Sequence, residues 1–141
     1  MILLIKKFLK VLFVLYVLSL IYILFLCRIN QNTIKDVNLE LFSTINRYIR
    51  ALKNNYMNKY LILMNLFGNF ALFIPLGFFI RSLFYKKIKN FFEFFLTTFI
   101  IIISIEILQF IFSVGTADID DVILNLLGAI ISYIIFRNIK I

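Results

Sequence analysis

The chain has 141 residues, of which 63% are apolar, 18% are aromatic and 16% are charged. With a mean hydropathy of +1.02, it carries more apolar side chains than a soluble domain of this size can bury, so the composition excludes a soluble globular protein. The net charge of +8 then predicts anchoring to anionic membrane lipids rather than nucleic-acid binding.

Four apolar segments are long enough, or nearly so, to cross a hydrocarbon core about 30 Å thick as helices. They comprise residues 11–27, 60–80, 91–112 and 122–136. The last is short, so it spans only if the acidic residues before it lie at the membrane boundary and Arg137 reaches toward the opposite headgroups. The sequence therefore predicts an all-α membrane protein, a single domain over residues 1–141 with four transmembrane helices.

Lys6, Lys7 and Lys10 precede the first segment, an arrangement that also describes a cleavable signal peptide. Small residues at a cleavage site are missing, and Leu26 stands before Cys27 where a lipoprotein signal needs a small residue. We therefore predict an uncleaved signal anchor. Cys27 is the only cysteine, so no intramolecular disulfide is expected.

The distribution of Lys and Arg in the short flanks predicts which side each loop faces. With the N-terminus inside, the cytoplasmic flanks hold Lys6, Lys7, Lys10, Arg81, Lys86, Lys87, Lys89, Arg137 and Lys140. The outer loop 28–59 then holds Arg28, Lys35, Arg47, Arg50, Lys53 and Lys59. This bias favours both termini in the cytoplasm, and its strongest part is the basic turn at 81–90, which contains no acid.

Apolar residues recur at helical spacing within the outer loop. The residues on this face are Leu41, Ile45, Tyr48, Ile49, Leu52 and Tyr56. They predict an amphipathic helix on the extracytoplasmic membrane surface. The alternative is a helix that packs on the bundle as a lid, and in both cases it lies above the polar residues described next.

Polar residues interrupt the predicted spans at a common depth. In this orientation the outer halves of the helices contain Asn65, Asn69, Glu106, Gln109 and Asn125. By helical rise they lie roughly 5 to 14 Å below the outer boundary, and their spacings place each pair on one helix face. They predict a polar pocket that opens toward the outer leaflet. The alternative is that the amides only link helices by hydrogen bonds.

Three aspartates, Asp118, Asp120 and Asp121, precede the fourth span. Aspartates suit a helix N-terminus, where they cap free N–H groups. However, carboxylates close together in a low-dielectric site repel unless they share a cation, a proton or a ligand. With Glu106 nearby, we predict a functional site. Asp120 and Asp121 are its candidate metal ligands, a divalent cation is the candidate cofactor, and no catalytic residue is assigned.

Pro75 lies inside the second span. It cannot donate a hydrogen bond to the carbonyl of Ala71, so the helix is expected to kink and leave that carbonyl in need of another partner. The freed carbonyl can belong to the site, or the kink can serve helix packing alone. The sequence leaves both interpretations open.

The polar motifs also occur in a recognisable order. They are Asn-Leu-Phe-Gly-Asn-Phe-Ala-Leu-Phe-Ile-Pro-Leu-Gly at 65–77, Glu-x-x-Gln at 106–109 and Asp-Ile-Asp-Asp-Val-Ile-Leu-Asn-Leu-Leu-Gly-Ala at 118–129. With Asn-Leu-Glu-Leu-Phe at 38–42 ahead of them, they resemble the VanZ-like family over residues 38–133. The resemblance implies a multi-pass protein of the bacterial cell membrane. It also implies a link to low-level teicoplanin resistance, with which the founding member is associated, but it implies no known reaction.

The chain departs from the family pattern at three places. Leu41 replaces a proline, Ser132 replaces a glycine, and Gly115 and Thr116 stand where many members carry an arginine shortly before the aspartates. Without that arginine the carboxylates are expected to lack an internal counter-ion. This favours a bound cation or a protonated carboxyl group at the site.

Two classes of function follow from the sequence. The first is a non-enzymatic envelope factor that binds a lipid-linked wall precursor, a lipid or a glycopeptide-type antibiotic and contributes to glycopeptide resistance. The second is a small intramembrane enzyme in which Asp120 and Asp121 hold a cation and Glu106 acts as general acid or base on a lipid-linked substrate. A proton- or cation-coupled carrier is disfavoured, because the four helices show no inverted repeat.

Overall fold

The computed structural model describes residues 2–29 and 37–139. Its elements are α1 (Ile2–Leu24), a 3₁₀ turn (Leu26–Arg28), β1 (Val37–Asn38), α2 (Ser43–Asn54), α3 (Lys59–Leu83), α4 (Phe91–Ile111), β2 (Ala117–Asp118) and α5 (Ile119–Phe136). Lys140 and part of the predicted outer loop, including Lys35, lie outside the described residues.

Four helices are long and apolar enough to cross a membrane: α1 with the turn that follows it, α3, α4 and α5. They confirm the predicted helical fold and the predicted number of helices suited to span a membrane. The helix α5 begins at Ile119 and has 18 residues, so it is longer than the predicted segment 122–136. Large apolar side chains stay exposed along these helices, for example Leu15, Phe92, Ile107 and Ile135, as a lipid-facing surface requires.

The helices α3 and α5 share the largest interface of the bundle, and glycines stand where they meet. A Cβ atom on Gly77 would lie 2.3 Å from the carbonyl oxygen of Ala129, and one on Gly128 would lie 2.1 Å from that of Phe70. Neither contact is sterically possible. Glycine at both positions therefore allows the two backbones to approach.

Pro75 lies within α3, which continues past it to Leu83. The Tyr16 hydroxyl of α1 donates a 2.7 Å hydrogen bond to the carbonyl of Leu72, the residue after Ala71, whose carbonyl lacks its helical donor because of the proline. This bond ties α1 to α3 close to Pro75. The kink at Pro75 stays a prediction.

Two short strands hold the chain ahead of α2 against the beginning of α5. Val37 pairs with Ala117 and Asn38 pairs with Asp118 in a parallel ladder. Such short strands have no periodicity, so the sequence did not predict them. At the opposite end of the bundle, Arg81 donates two hydrogen bonds of 2.9 and 2.5 Å to the carbonyl of Arg137 and ties the end of α3 to that of α5.

The helix α2 lies within the predicted outer loop. On the predicted apolar face Ile45, Tyr48 and Leu52 are half-buried, whereas Leu41 and Tyr56 are exposed beyond the ends of the helix. The remaining residue of the face, Ile49, is also exposed. The placement of α2 on a membrane surface stays a prediction.

Candidate functional site

Asp118 marks the beginning of α5 and joins it to α2. Its Oδ1 accepts a 2.9 Å hydrogen bond from the backbone N–H of Asp120, which is a side-chain N-cap. Its Oδ2 accepts a 2.5 Å hydrogen bond from the Thr44 hydroxyl, and Asn38 Nδ2 donates to Oδ1 over 3.3 Å. This buried carboxylate therefore stabilises the start of α5 and the contact with α2.

Asp120 is fully buried and caps a different helix from its own. The N-cap residue of α2 is Phe42, whose side chain cannot cap the helix and whose backbone is left-handed with φ of 62°. Asp120 Oδ1 accepts from the Phe42 N–H at 2.7 Å, and Oδ2 accepts from the N–H groups of Thr44 and Ile45 at 2.9 and 3.1 Å. Because a carboxylate is also favoured at the positive end of a helix dipole, Asp120 fixes α2 to α5.

Asp121 borders a cavity of about 350 Å³ between α2, α3 and the start of α5, which we call the polar cavity. Asn69 lines the same cavity, and Asn65 donates to the Tyr48 hydroxyl over 3.1 Å. The cavity is lined by Arg28, Thr44, Arg47, Tyr48, Asn65, Asn69, Val114, Gly115, Thr116, Asp118 and Asp121. It therefore brings together four of the predicted site residues, Asn65, Asn69, Asp118 and Asp121.

Two arginines bring positive charge to the polar cavity. Arg47 comes from α2, and Arg28 comes from the turn after α1, where its Nη1 lies 3.5 Å from the position of a Cβ on Gly115. Arg28 and Asp121 line the same cavity, so a guanidinium from a distant part of the chain lies beside the glycine. The expectation that these carboxylates lack an internal counter-ion stays a prediction.

Glu106 and Asn125 form a buried contact between α4 and α5. Asn125 Nδ2 donates to Glu106 Oε1 over 3.4 Å, and Asn125 Oδ1 has no hydrogen-bond partner among the described residues. Glu106 is not among the residues that line the polar cavity. It borders a pocket of about 190 Å³ whose other walls are mainly apolar and include Ile107 and Val122. The structure thus brings Glu106 and Asn125 together, but outside the polar cavity.

Gln109 is buried and makes a link between helices. Its Nε2 donates a 3.0 Å hydrogen bond to the carbonyl of Leu24, the last residue of α1, where helical carbonyls lack partners within their own helix. Of the two interpretations that the sequence left open for the amides, this contact is of the helix-linking kind.

A second cavity of about 640 Å³ adjoins the polar cavity. The residues that line both are Thr44, Arg47, Thr116 and Asp118. Arg50 of α2 adds another positive charge to the second cavity, and Tyr56 and Met57 contribute apolar surface. The two cavities therefore lie side by side against α2.

The sequence pattern of the family described as VanZ/LLP1 matches residues 13–140, which is nearly the whole chain. The chain belongs to the VanZ/LLP1 family. This confirms the resemblance seen in the sequence and, with four helices suited to span a membrane, supports a multi-pass membrane protein of the cell envelope. No curated protein and no solved structure matched the chain.

The metal site predicted for this VanZ/LLP1 chain stays a prediction. Both oxygens of Asp120 already accept backbone hydrogen bonds. Across residues 2–29 and 37–139 no group of three or more His, Cys, Asp or Glu side chains is placed to hold a metal ion. Among the predicted metal ligands, only Asp121 faces the polar cavity.

The polar cavity includes Arg28, Thr44, Arg47 and Tyr48, which were not predicted as site residues from the sequence. The spacing of Arg47 and Arg50 was one available signal, because residues three apart on a helix are neighbours on its surface and these two therefore form one basic patch. No local signal was available for Arg28. It lines the polar cavity because the turn after α1 lies beside Gly115, in the segment before β2.

Proposed function

We propose that this VanZ/LLP1 chain is a non-enzymatic protein of the bacterial cell envelope that binds the charged head of an amphiphile in the polar cavity. The head carries an anionic group, which the arginines bind, and hydrogen-bond donors, which Asp121 and the asparagines bind. Lipid-linked wall precursors, membrane lipids and glycopeptide antibiotics such as teicoplanin are the ligand classes with this chemistry. A role in glycopeptide resistance is part of the proposal.

The observation that carries the proposal is that two arginines, Arg28 and Arg47, line one cavity together with Asp121. A guanidinium offers a planar set of donors that binds phosphate or carboxylate through two parallel hydrogen bonds. The opposite charges in the same cavity favour a head group with both kinds of polar group over a simple anion.

The location of the polar cavity supports an amphiphilic ligand. Asn65 and Asn69 lie in the first half of α3, close to the end at which that helix enters its apolar part. Leu63 and Phe67 of the same helix are exposed and can cover an apolar tail. In the proposed orientation both termini are cytoplasmic, the cavity faces outward, and α2 is an amphipathic helix on the outer surface.

Binding of the three ligand classes to the purified protein in nanodiscs tests the proposal. We expect Arg47→Gln to weaken binding of at least one class by roughly tenfold or more, because a charged hydrogen bond contributes about 1.5 to 3 kcal/mol. Asp121→Asn should weaken the same ligand. Lys53→Gln is the matched control, since Lys53 is an exposed base of α2 and lines neither cavity.

Equal affinities for the Arg47→Gln, Lys53→Gln and unmodified proteins, for all three ligand classes, would contradict the proposal. The same titrations with and without a divalent cation address the alternative of a metal-dependent enzyme. That alternative receives less support from the geometry, since Asp120 is engaged by α2.

A further inference from the structure

The end of the bundle farthest from α2 carries a cavity of its own, which we call the basic cavity. It has a volume of about 370 Å³ and lies between the beginning of α1 and the turn that joins α3 to α4. Its four charged residues are Lys6, Lys10, Lys86 and Lys87. Lys6 and Lys10 are one helical turn apart, so they share a face of α1.

No carboxylate lines the basic cavity among the described residues. The acid near this turn is Glu93, and its oxygens already accept hydrogen bonds from the Lys89 backbone N–H at 2.7 Å and from Asn90 Nδ2 at 2.9 Å. Like charges in one cavity at the edge of a membrane repel each other, and an anion between them relieves that repulsion. The charge of the cavity therefore suits an anionic ligand.

The apolar surroundings of the basic cavity indicate which kind of anion fits. Leu83 and Phe84 form part of its wall, and Leu3 and Phe8 of α1 are exposed nearby along the chain. An acyl chain can lie against such surface while its phosphate meets the ammonium groups, since basic pockets at the ends of membrane helices bind lipid head groups in this way. A free phosphate ion would leave the apolar surface uncovered.

We propose that the basic cavity is a binding site for the phosphate head of an anionic phospholipid. The site is separate from the polar cavity, shares no residue with it and does not depend on the ligand proposed there. Its occupant would fix the beginning of α1 to the α3–α4 turn through a shared counter-ion.

Native mass spectrometry of the detergent-purified protein with equal amounts of phosphatidylglycerol and phosphatidylcholine tests this proposal. The unmodified protein should retain phosphatidylglycerol preferentially. Removing one lysine near a phosphate weakens such binding by about fivefold, so Lys86→Gln with Lys87→Gln should weaken it by on the order of 25-fold. The pair Lys6→Gln with Lys10→Gln should behave in the same way.

The double variant Lys53→Gln with Lys59→Gln is the matched control, since it loses the same charge at exposed positions that do not line the basic cavity. It should retain phosphatidylglycerol as the unmodified protein does. The double variant Lys86→Arg with Lys87→Arg keeps the charge and should retain binding, which separates loss of binding from loss of folding. Addition of inorganic phosphate at millimolar concentration should not displace the lipid.

Three results would overturn the proposal. One is equal retention of the two lipids by the unmodified protein, and another is an equal loss of phosphatidylglycerol in the control and in the two cavity variants. The third is full displacement of the lipid by inorganic phosphate, which would show that the site recognises the free ion.

Discussion

Asp120 and Asp121 are neighbours in the sequence but have different partners in the structure. Asp120 is fully buried and accepts three backbone hydrogen bonds at the start of α2, whereas Asp121 is half-buried and borders the polar cavity. One turn of helix therefore presents a structural carboxylate and a candidate binding carboxylate side by side.

Replacing Asp120 by Asn is expected to destabilise the protein. The amide of Asn has one acceptor oxygen in place of two, so at least one of the three N–H groups bound by Asp120 loses its partner, at a cost of about 1 to 3 kcal/mol. Thermal unfolding in detergent, followed by circular dichroism, should show a lower midpoint for Asp120→Asn. Asp121→Asn is the control, and its unfolding midpoint should be close to that of the unmodified protein. Equal midpoints for the two variants would contradict the different roles assigned to Asp120 and Asp121.

The site residues and the different roles of Asp120 and Asp121 could be predicted only in part from the sequence. Depth identified Asn65 and Asn69, and the acidic run before the fourth span identified Asp121; all three line one cavity. These signals could not separate Asp120 from Asp121, because the distinction depends on N–H groups of Phe42 and Thr44 that lie far away in the sequence. Depth also predicted that Glu106 belongs to this pocket, whereas Glu106 borders a separate, mainly apolar pocket that shares Asp118 with the polar cavity.

At the scale of whole elements, the contact between α3 and α5 depends on two glycines. Gly77→Ala or Gly128→Ala places a Cβ atom against a backbone carbonyl, and the required separation of the helices is expected to cost about 1 to 3 kcal/mol. Gly68→Ala is the matched control, because a Cβ there would meet no atom within 4 Å. It should leave stability unchanged or raise it by up to about 1 kcal/mol.

Reversible unfolding in mixed micelles measures these differences. If Gly128→Ala and Gly68→Ala had the same stability, the close approach of α3 and α5 at this position would be contradicted. Expression level and the fraction of monomer in gel filtration should follow the same order and serve as a second readout.

The secondary-structure elements were predictable to different degrees for a physical reason. The four spans are long runs of apolar residues whose signal accumulates over 18 or more positions, so their number could be obtained from the hydropathy along the sequence. The pairing of β1 with β2 involves two residues on each side, and its cause is the position of Asn38 beside Asp118 rather than any pattern within either strand. Long-range contacts of this kind leave no trace in a local window of sequence.

At the scale of the whole molecule, the basic and polar cavities lie at opposite ends of the bundle, and the distribution of Lys and Arg predicts which end is outside. In a Cys27→Ser background, needed because Cys27 is exposed, an impermeant thiol reagent should label Thr116→Cys in intact cells. It should label Lys87→Cys only after the cells are permeabilised. Labelling of Lys87→Cys but not of Thr116→Cys in intact cells would reverse the orientation.

The bonds from Asp120 to α2 also bear on the order in which the protein matures during synthesis. Thr44 and Asp120 are 76 positions apart, so at a synthesis rate of about 5 to 20 residues per second the start of α2 waits roughly 4 to 15 seconds for its partner. During that interval α1 and α3 can already be inserted, and α2 can be held by the contact of Tyr48 with Asn65 of α3 but not yet by the cap at its N-terminus. The polar cavity is therefore assembled last, when α5 emerges and Asp120 in its first turn accepts the hydrogen bonds from the start of α2.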